Sequence, residues 1–188
     1  MFCINDTYMK KISDRIFYVG VNDDDKVLFE GLWPLPYGVS YNSYVVADEK
    51  VALIDTVECG FEEEYLDEIR QVLGERSVDY LIVNHMEPDH SSLISLICSA
   101  YPDVKIVVNA KTVPMIKGYH GTPQERLHVV AEGDSLSLGS CSLNFYMVPM
   151  VHWPETMVTW LPEENTVFSG DAFGTFGSVA EDPVDADG

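Results

Sequence analysis

The apolar positions of the chain change period in a fixed order. Lys50 to Thr56 carries Val51-Ala52-Leu53-Ile54 and ends in a carboxylate, Asp55; Asp79 to Asn84 carries Tyr80-Leu81-Ile82-Val83. The first predicts a short apolar strand, and the second, a continuous run, a strand buried on both faces. Between them Tyr65, Leu66, Ile69, Val72 and Leu73 recur at helical spacing, predicting a helix over about 62–73 that Gly74 stops. The alternation continues with a helix opened by Ser91-Ser92 and running to about Ser99, a strand over 105–108, a short helix over 111–117 and a strand over 127–130. Beyond Gly133-Asp134, residues 135–138 and 142–148 alternate like half-exposed antiparallel strands, and 156–161 and 166–169 read as two more. At the front, Ile16–Val19 and Val27–Phe29 predict a hairpin across Asn22-Asp23-Asp24-Asp25. Trp33-Pro34-Leu35-Pro36-Tyr37-Gly38 then breaks regularity before Ser40–Val46 resumes it. The order predicts an α/β (α+β) sandwich, two mixed sheets face to face with helices outside, in one domain over 1–188 without repeat or linker.

One stretch in this pattern has no packing rationale. Asn84-His85-Met86-Glu87-Pro88-Asp89-His90 sets two imidazoles and two carboxylates directly behind an apolar strand. Buried there, they demand partners or a metal. In an extended segment His85, Glu87 and Asp89 project to one side, with His90 entering the following helix. His152 and Asp171 also stand where strands end. Together the six offer nitrogen and carboxylate oxygen but no sulfur, a set suited to iron or manganese and compatible with zinc. Three carboxylates favour a redox-active metal that reaches the trivalent state. His120 and His128 have no ligand-type neighbours in sequence and are read as ordinary polar residues.

Composition narrows the partners. Eleven Lys and Arg against 31 Asp and Glu give a net charge of −20, which repels nucleic acid and anionic membranes. The acidic runs 23–25 and 62–64 and the tail 181–187 read as solvated surface. No run approaches the ~20 apolar residues that span a bilayer, and no signal pattern opens the chain, so the cytoplasm is the expected compartment. Cys3, Cys59, Cys98 and Cys141 are far apart and are expected to be buried free thiols.

These segments resemble one family, the metallo-β-lactamase-fold domain of flavodiiron proteins (A-type flavoproteins). The likeness runs through residues 40–44, 52–57, 83–91, 150–157 and 168–174, and Glu87 is its most diagnostic residue. Hydrolytic members of the superfamily read H-x-H-x-D-H and bind zinc, whereas flavodiiron proteins read H-x-E-x-D-H and bind two irons. The resemblance implies a metallo-β-lactamase-like αββα sandwich. It assigns His85, Glu87 and His152 to one iron, Asp89 to the other and Asp171 to the bridge, beside His90, whose counterpart does not ligate in every member. It implies reduction of dioxygen to water or of nitric oxide to nitrous oxide. It further implies electrons from FMN in a flavodoxin-like domain, fed by a rubredoxin-like or flavin-reductase donor, within a head-to-tail homodimer.

Against this pattern the chain shows no flavodoxin-like segment, and no histidine follows His152. It is therefore expected to be incomplete at its C-terminus, with a full first iron position and a weak or empty second one. FMN is expected from a missing domain or a partner. Two other functions remain open: a di-iron oxygen-binding sensor without turnover, and a zinc-dependent hydrolase.

Overall fold

A computed structural model describes residues 10–122 and 124–178. The strands are β1 (Lys10–Lys11), β2 (Ile16–Tyr18), β3 (Val21–Asp23), β4 (Leu28–Phe29), β5 (Trp33–Pro34), β6 (Val39–Tyr41), β7 (Tyr44–Ala47), β8 (Val51–Ile54), β9 (Tyr80–Ile82), β10 (Lys105–Asn109), β11 (Leu127–Val130), β12 (Ser135–Ser137), β13 (Ser142–Met147), β14 (Met157–Leu161) and β15 (Thr166–Phe168). The α-helices are α1 (Glu62–Leu73), α2 (Pro88–Ser91), α3 (Ile94–Ala100) and α4 (Thr112–His120). The cysteine Cys3 and the acidic tail 181–187 lie outside the described residues.

A seven-stranded mixed sheet runs in the order β1-β2-β7-β8-β9-β10-β11, with β8 to β11 parallel. A four-stranded sheet, β12-β13-β14-β15, is antiparallel throughout. Why the central strands read as unbroken apolar runs is visible in their two faces. Val45, Leu53, Leu81 and Ile106 pack under α1, α3 and α4, whereas Val46, Ala52, Ile54, Ile82 and Val107 pack against Leu143, Phe145, Met157, Leu161 and Phe168 of the second sheet. Alternate side chains of one strand thus fill two different cores. Among the described residues no helix contributes to the second core, and Tyr146 and Val167 of the smaller sheet are solvent-facing.

Helix α1 forms as its spacing predicts. Tyr65, Leu66, Ile69 and Leu73 are buried, three glutamates occupy its positively polarised first turn, and Gly74 ends it at φ 59°. The N-terminal hairpin is corrected. Ile16–Tyr18 pairs with β1 and β7, Val21–Asp23 with β6, and Leu28–Phe29 with Trp33–Pro34. The acidic turn does not return the chain on itself; Asp23 instead accepts hydrogen bonds from the Lys26 backbone and the Tyr41 hydroxyl. The helix expected from Ser91 is also divided, because it starts earlier. Glu87 is extended (φ −60°, ψ 144°) and Pro88, whose fixed φ suits a first helical residue, opens α2. Of the cysteines, Cys141 is buried as expected, Cys98 is half-buried and Cys59 is exposed.

Candidate metal centre

Parallel strands β8, β9 and β10 end side by side, and their next residues build the site. Asn84, just past β9, is the joint between the sheets. Its backbone N–H donates to Asp55 Oδ1 (2.7 Å), its carbonyl accepts from Met157 N (3.0 Å), its side-chain oxygen accepts from Thr159 Oγ1 (2.7 Å), and its Nδ2 donates to the Phe168 carbonyl (3.3 Å). One buried amide therefore fixes β9 against both β14 and β15, the strands that precede Asp171. His85 follows immediately, 1% exposed, then Glu87 at 5%. Asp89 does not continue the extended segment; it sits in the first turn of α2 beside His90, and that turn separates it from Glu87. Ser91 Oγ donates to the Met86 and Glu87 carbonyls, and Thr56 Oγ1 donates to the His90 carbonyl, so the backbone of the motif is held at several points.

All six sequence-predicted residues converge, in two clusters. In the first, His85 Nε2 is 3.2 Å from Glu87 Oε2 and 3.3 Å from Asp171 Oδ2, and His152 Nε2 is 2.7 Å and 3.1 Å from the same two oxygens. In the second, His90 Nε2 is 2.5 Å from Asp171 Oδ1 and 3.7 Å from Asp89 Oδ2. Asp171 thus turns one oxygen to each cluster, the disposition of a bridging carboxylate. His120 and His128 join neither cluster; His120 meets Ser95 instead.

The donor spacings fit a cation. Atoms held about 2.1 Å from one ion at tetrahedral or octahedral angles lie roughly 3.0–3.4 Å from each other, close to the separations in the first cluster. The second cluster offers three residues to the first cluster's four, and among the described residues Asp89 Oδ1 and His90 Nδ1 are buried without a hydrogen-bond partner.

The electrostatics record the same need. Burial opposes charge on His85, yet hydrogen bonds with Asp171 and Glu87 and the charges of Asp171 and Glu155 push it up to about 10. Burial likewise opposes charge on His90, which Asp171, Asp89 and Asp55 push up to about 9. Burial raises Asp171, but hydrogen bonds from the two histidines outweigh it and hold the carboxyl far below its usual range. Glu87 is lowered chiefly by its bond to His85, and Asp89 is raised by burial. The charge partners of these carboxylates are imidazoles, which hold protons where a metal would supply positive charge.

Above the clusters opens a cavity of about 560 Å³, whose wall includes Phe29, Trp33, Ser40 and Phe176. Phe29 packs against Phe176 in a tilted pair with ring centroids 4.9 Å apart, and Ser40 Oγ donates to the Gly177 carbonyl, so the segment after Asp171 is pinned to the β4–β6 arm. Of the aromatic loop at 33–38, Trp33 thus forms part of the wall of the site.

A family model described as "ODP family beta lactamase" matches residues 39–187. The chain belongs to that family. It is similar to the anaerobic nitric oxide reductase flavorubredoxin of Klebsiella pneumoniae, 36% identical over 87% of this chain and 34% of the relative. It is also similar to the nitric oxide reductase of Moorella thermoacetica, 35% identical over 93% and 45%. The chain therefore spans less than half the length of these curated relatives. The solved rubredoxin oxygen:oxidoreductase of Desulfovibrio gigas superposes with a TM-score of 0.88 at 33% identity, covering 93% of this chain and 43% of that one. The flavodiiron resemblance and the metallo-β-lactamase-like sandwich read from the sequence are thereby borne out. Among the described residues, no helix is long and apolar enough to cross a membrane.

Four buried polar residues outside the six ligand-type positions also shape this site: Asp55, Asn84, Asn109 and Glu155, all at most 5% exposed. Asp55, Asn84 and Asn109 share a signal in the sequence, each being the polar residue at the C-terminal end of an apolar strand. Glu155 follows a proline in an irregular loop, and nothing local marks it.

Proposed function

We propose that this chain is the metal-binding part of a flavodiiron-type oxidoreductase that reduces dioxygen to water or nitric oxide to nitrous oxide. The observation that carries this reading is Glu87 in the first cluster, joined to the second cluster by the two oxygens of Asp171. A carboxylate in place of a third motif imidazole makes a harder, more anionic donor set, which favours iron cycling between oxidation states over a zinc-bound hydroxide. An iron pair bound here would supply reducing electrons and open positions for a diatomic molecule.

The protein's own part is positional. His85, Glu87 and His152 would hold the first ion, Asp89 and His90 the second, and Asp171 both. Asn84 and Ser91 keep the motif backbone from relaxing, and burial of His85, Glu87 and His90 excludes bulk water from all but the cavity side. His152, with its side chain 56% exposed, forms the solvent-facing rim. The electron source is FMN from a domain or partner outside this chain, reduced by a rubredoxin-like or flavin-reductase protein, in a homodimer. The activities for which the relatives are named support this choice of reaction.

The first position is expected to bind metal tightly and the second weakly, since among the described residues the second cluster brings together three ligand-type side chains and the first four. Metal analysis of protein loaded anaerobically with ferrous iron and then desalted tests this: one retained iron per chain is expected. Catalysis is tested by supplying chemically reduced FMN and following nitric oxide and dioxygen consumption by electrode. No consumption of either gas by protein that metal analysis shows to hold two irons per chain would reject the oxidoreductase reading.

A further inference from the structure

Beneath His85 lies a carboxylate that belongs to neither cluster. Glu155 is 1% exposed, sits in the turn that leads into β14, and places Oε1 3.0 Å from His85 Nδ1 and 3.0 Å from the Met86 backbone N–H. The same oxygen can thus accept from the imidazole and from the backbone that carries the next residue of the motif. Its own backbone is anchored in turn. Asn109 Nδ2, at the end of β10, donates to the Glu155 carbonyl (2.5 Å), and Lys111 Nζ donates to the Pro154 carbonyl (2.9 Å). The anchoring runs from β10 through the loop to the far side of the His85 ring, opposite the nitrogen that faces Glu87 and Asp171.

We infer that Glu155 is a positioning residue: it holds the His85 proton on Nδ1, so that Nε2 presents its lone pair to the first metal position in a fixed ring orientation. An imidazole can carry its proton on either nitrogen, and a hydrogen bond at one nitrogen decides which is left to ligate. Among the described residues, the acceptor nearest Nδ1 is the Glu155 carboxylate at 3.0 Å, with Thr156 Oγ1 at 3.4 Å. Backbone contact at Met86 adds a second constraint, because the carboxylate that aims the ring also sets the start of the segment leading to Glu87. A residue serving packing alone has no need of a buried carboxylate, and among the described residues its other oxygen, Oε2, has no hydrogen-bond partner.

This inference rests on His85 being a ligand, and the experiment separates the two claims. Cobalt(II) affinity is measured by competition with a chelator for the unaltered chain, Glu155→Gln, His85→Ala and the double variant. Glu155→Gln keeps the size of the side chain and an acceptor oxygen but loses the charge. It is expected to weaken cobalt binding by about ten- to a hundred-fold and to have no further effect once His85 is absent. An unchanged affinity in Glu155→Gln, or an equal loss in the His85→Ala background, overturns the positioning role while leaving the ligand reading intact. Unchanged affinity in His85→Ala overturns both. If a variant fails to fold, a second readout uses the unaltered protein. In the zinc-loaded chain, nitrogen-15 spectra should show the His85 proton on Nδ1 and protected from exchange. A proton on Nε2, or none protected, refutes the inference.

Discussion

At the scale of single residues, the two oxygens of Asp171 do different work, and that difference can be measured. Oδ2 meets His85 and His152 in the first cluster and Oδ1 meets His90 in the second, whereas Asp89 belongs to the second alone. Asp89→Asn should therefore spare the first metal position and Asp171→Asn should weaken it, by about ten-fold or more, since an anionic bridging donor becomes a neutral one. Cobalt titration of the two variants checks this, and equal losses in both would mean the clusters are not separate. His85, Glu87, Asp89 and His90 were legible in the sequence because imidazoles and carboxylates gathered behind an apolar strand would be costly to bury without a partner or a metal; His152 and Asp171 stood out only as polar residues where strands end, and the family resemblance joined them to the set. Asp89 was misplaced by one assumption, that the segment stays extended past Pro88. Glu155 was illegible for a different reason: its role depends on a loop folding back under β9 from seventy residues away, and no local pattern reports that.

At the scale of elements, periodicity located α1 and the central strands well, because burial on two faces leaves an unmistakable apolar run. It failed for the short arm 16–41, where strands of two or three residues pair with distant partners and the turn at 22–25 supplies a hydrogen-bond acceptor, Asp23. Helix α1 contains a residue at odds with its amphipathic pattern. Glu68 is 5% exposed on the packed face, its Oε2 has no partner among the described residues, and burial, with the neighbouring Glu64 charge, pushes it up to about 7 from 4.5. Between pH 4.5 and 7 the folded chain holds this proton while the unfolded chain releases it, so the contribution of Glu68 to stability falls as pH rises through that window and levels off above it. The slope for one such group is at most about 1.4 kcal/mol per pH unit. Urea midpoints from pH 5 to 8 should show this decline in the unaltered chain, and Glu68→Gln should make it shallower. A decline of the same size in the variant would assign it to other groups.

At the scale of the whole molecule, a net charge of −20 is folded around interior carboxylates at Asp55, Glu87, Asp89, Glu155 and Asp171. Surface repulsion and interior repulsion respond to different agents. Salt screens the first, since the Debye length falls from about 30 Å at 0.01 M to a few ångströms near 1 M, but it reaches buried charges poorly. A metal held by the first cluster would relieve the second. Metal-free protein should accordingly melt at higher temperature as sodium chloride is raised, until surface repulsion is screened. Adding cobalt at a hundred times its dissociation constant should then stabilise the chain by a further ~2.7 kcal/mol at any salt level, and a chelator should remove that gain alone. Disappearance of the cobalt effect in high salt would show the ion acting as a diffuse counterion. Its persistence, together with its reduction in Asp171→Asn, would tie the stability of the fold to the centre that its two sheets meet to build.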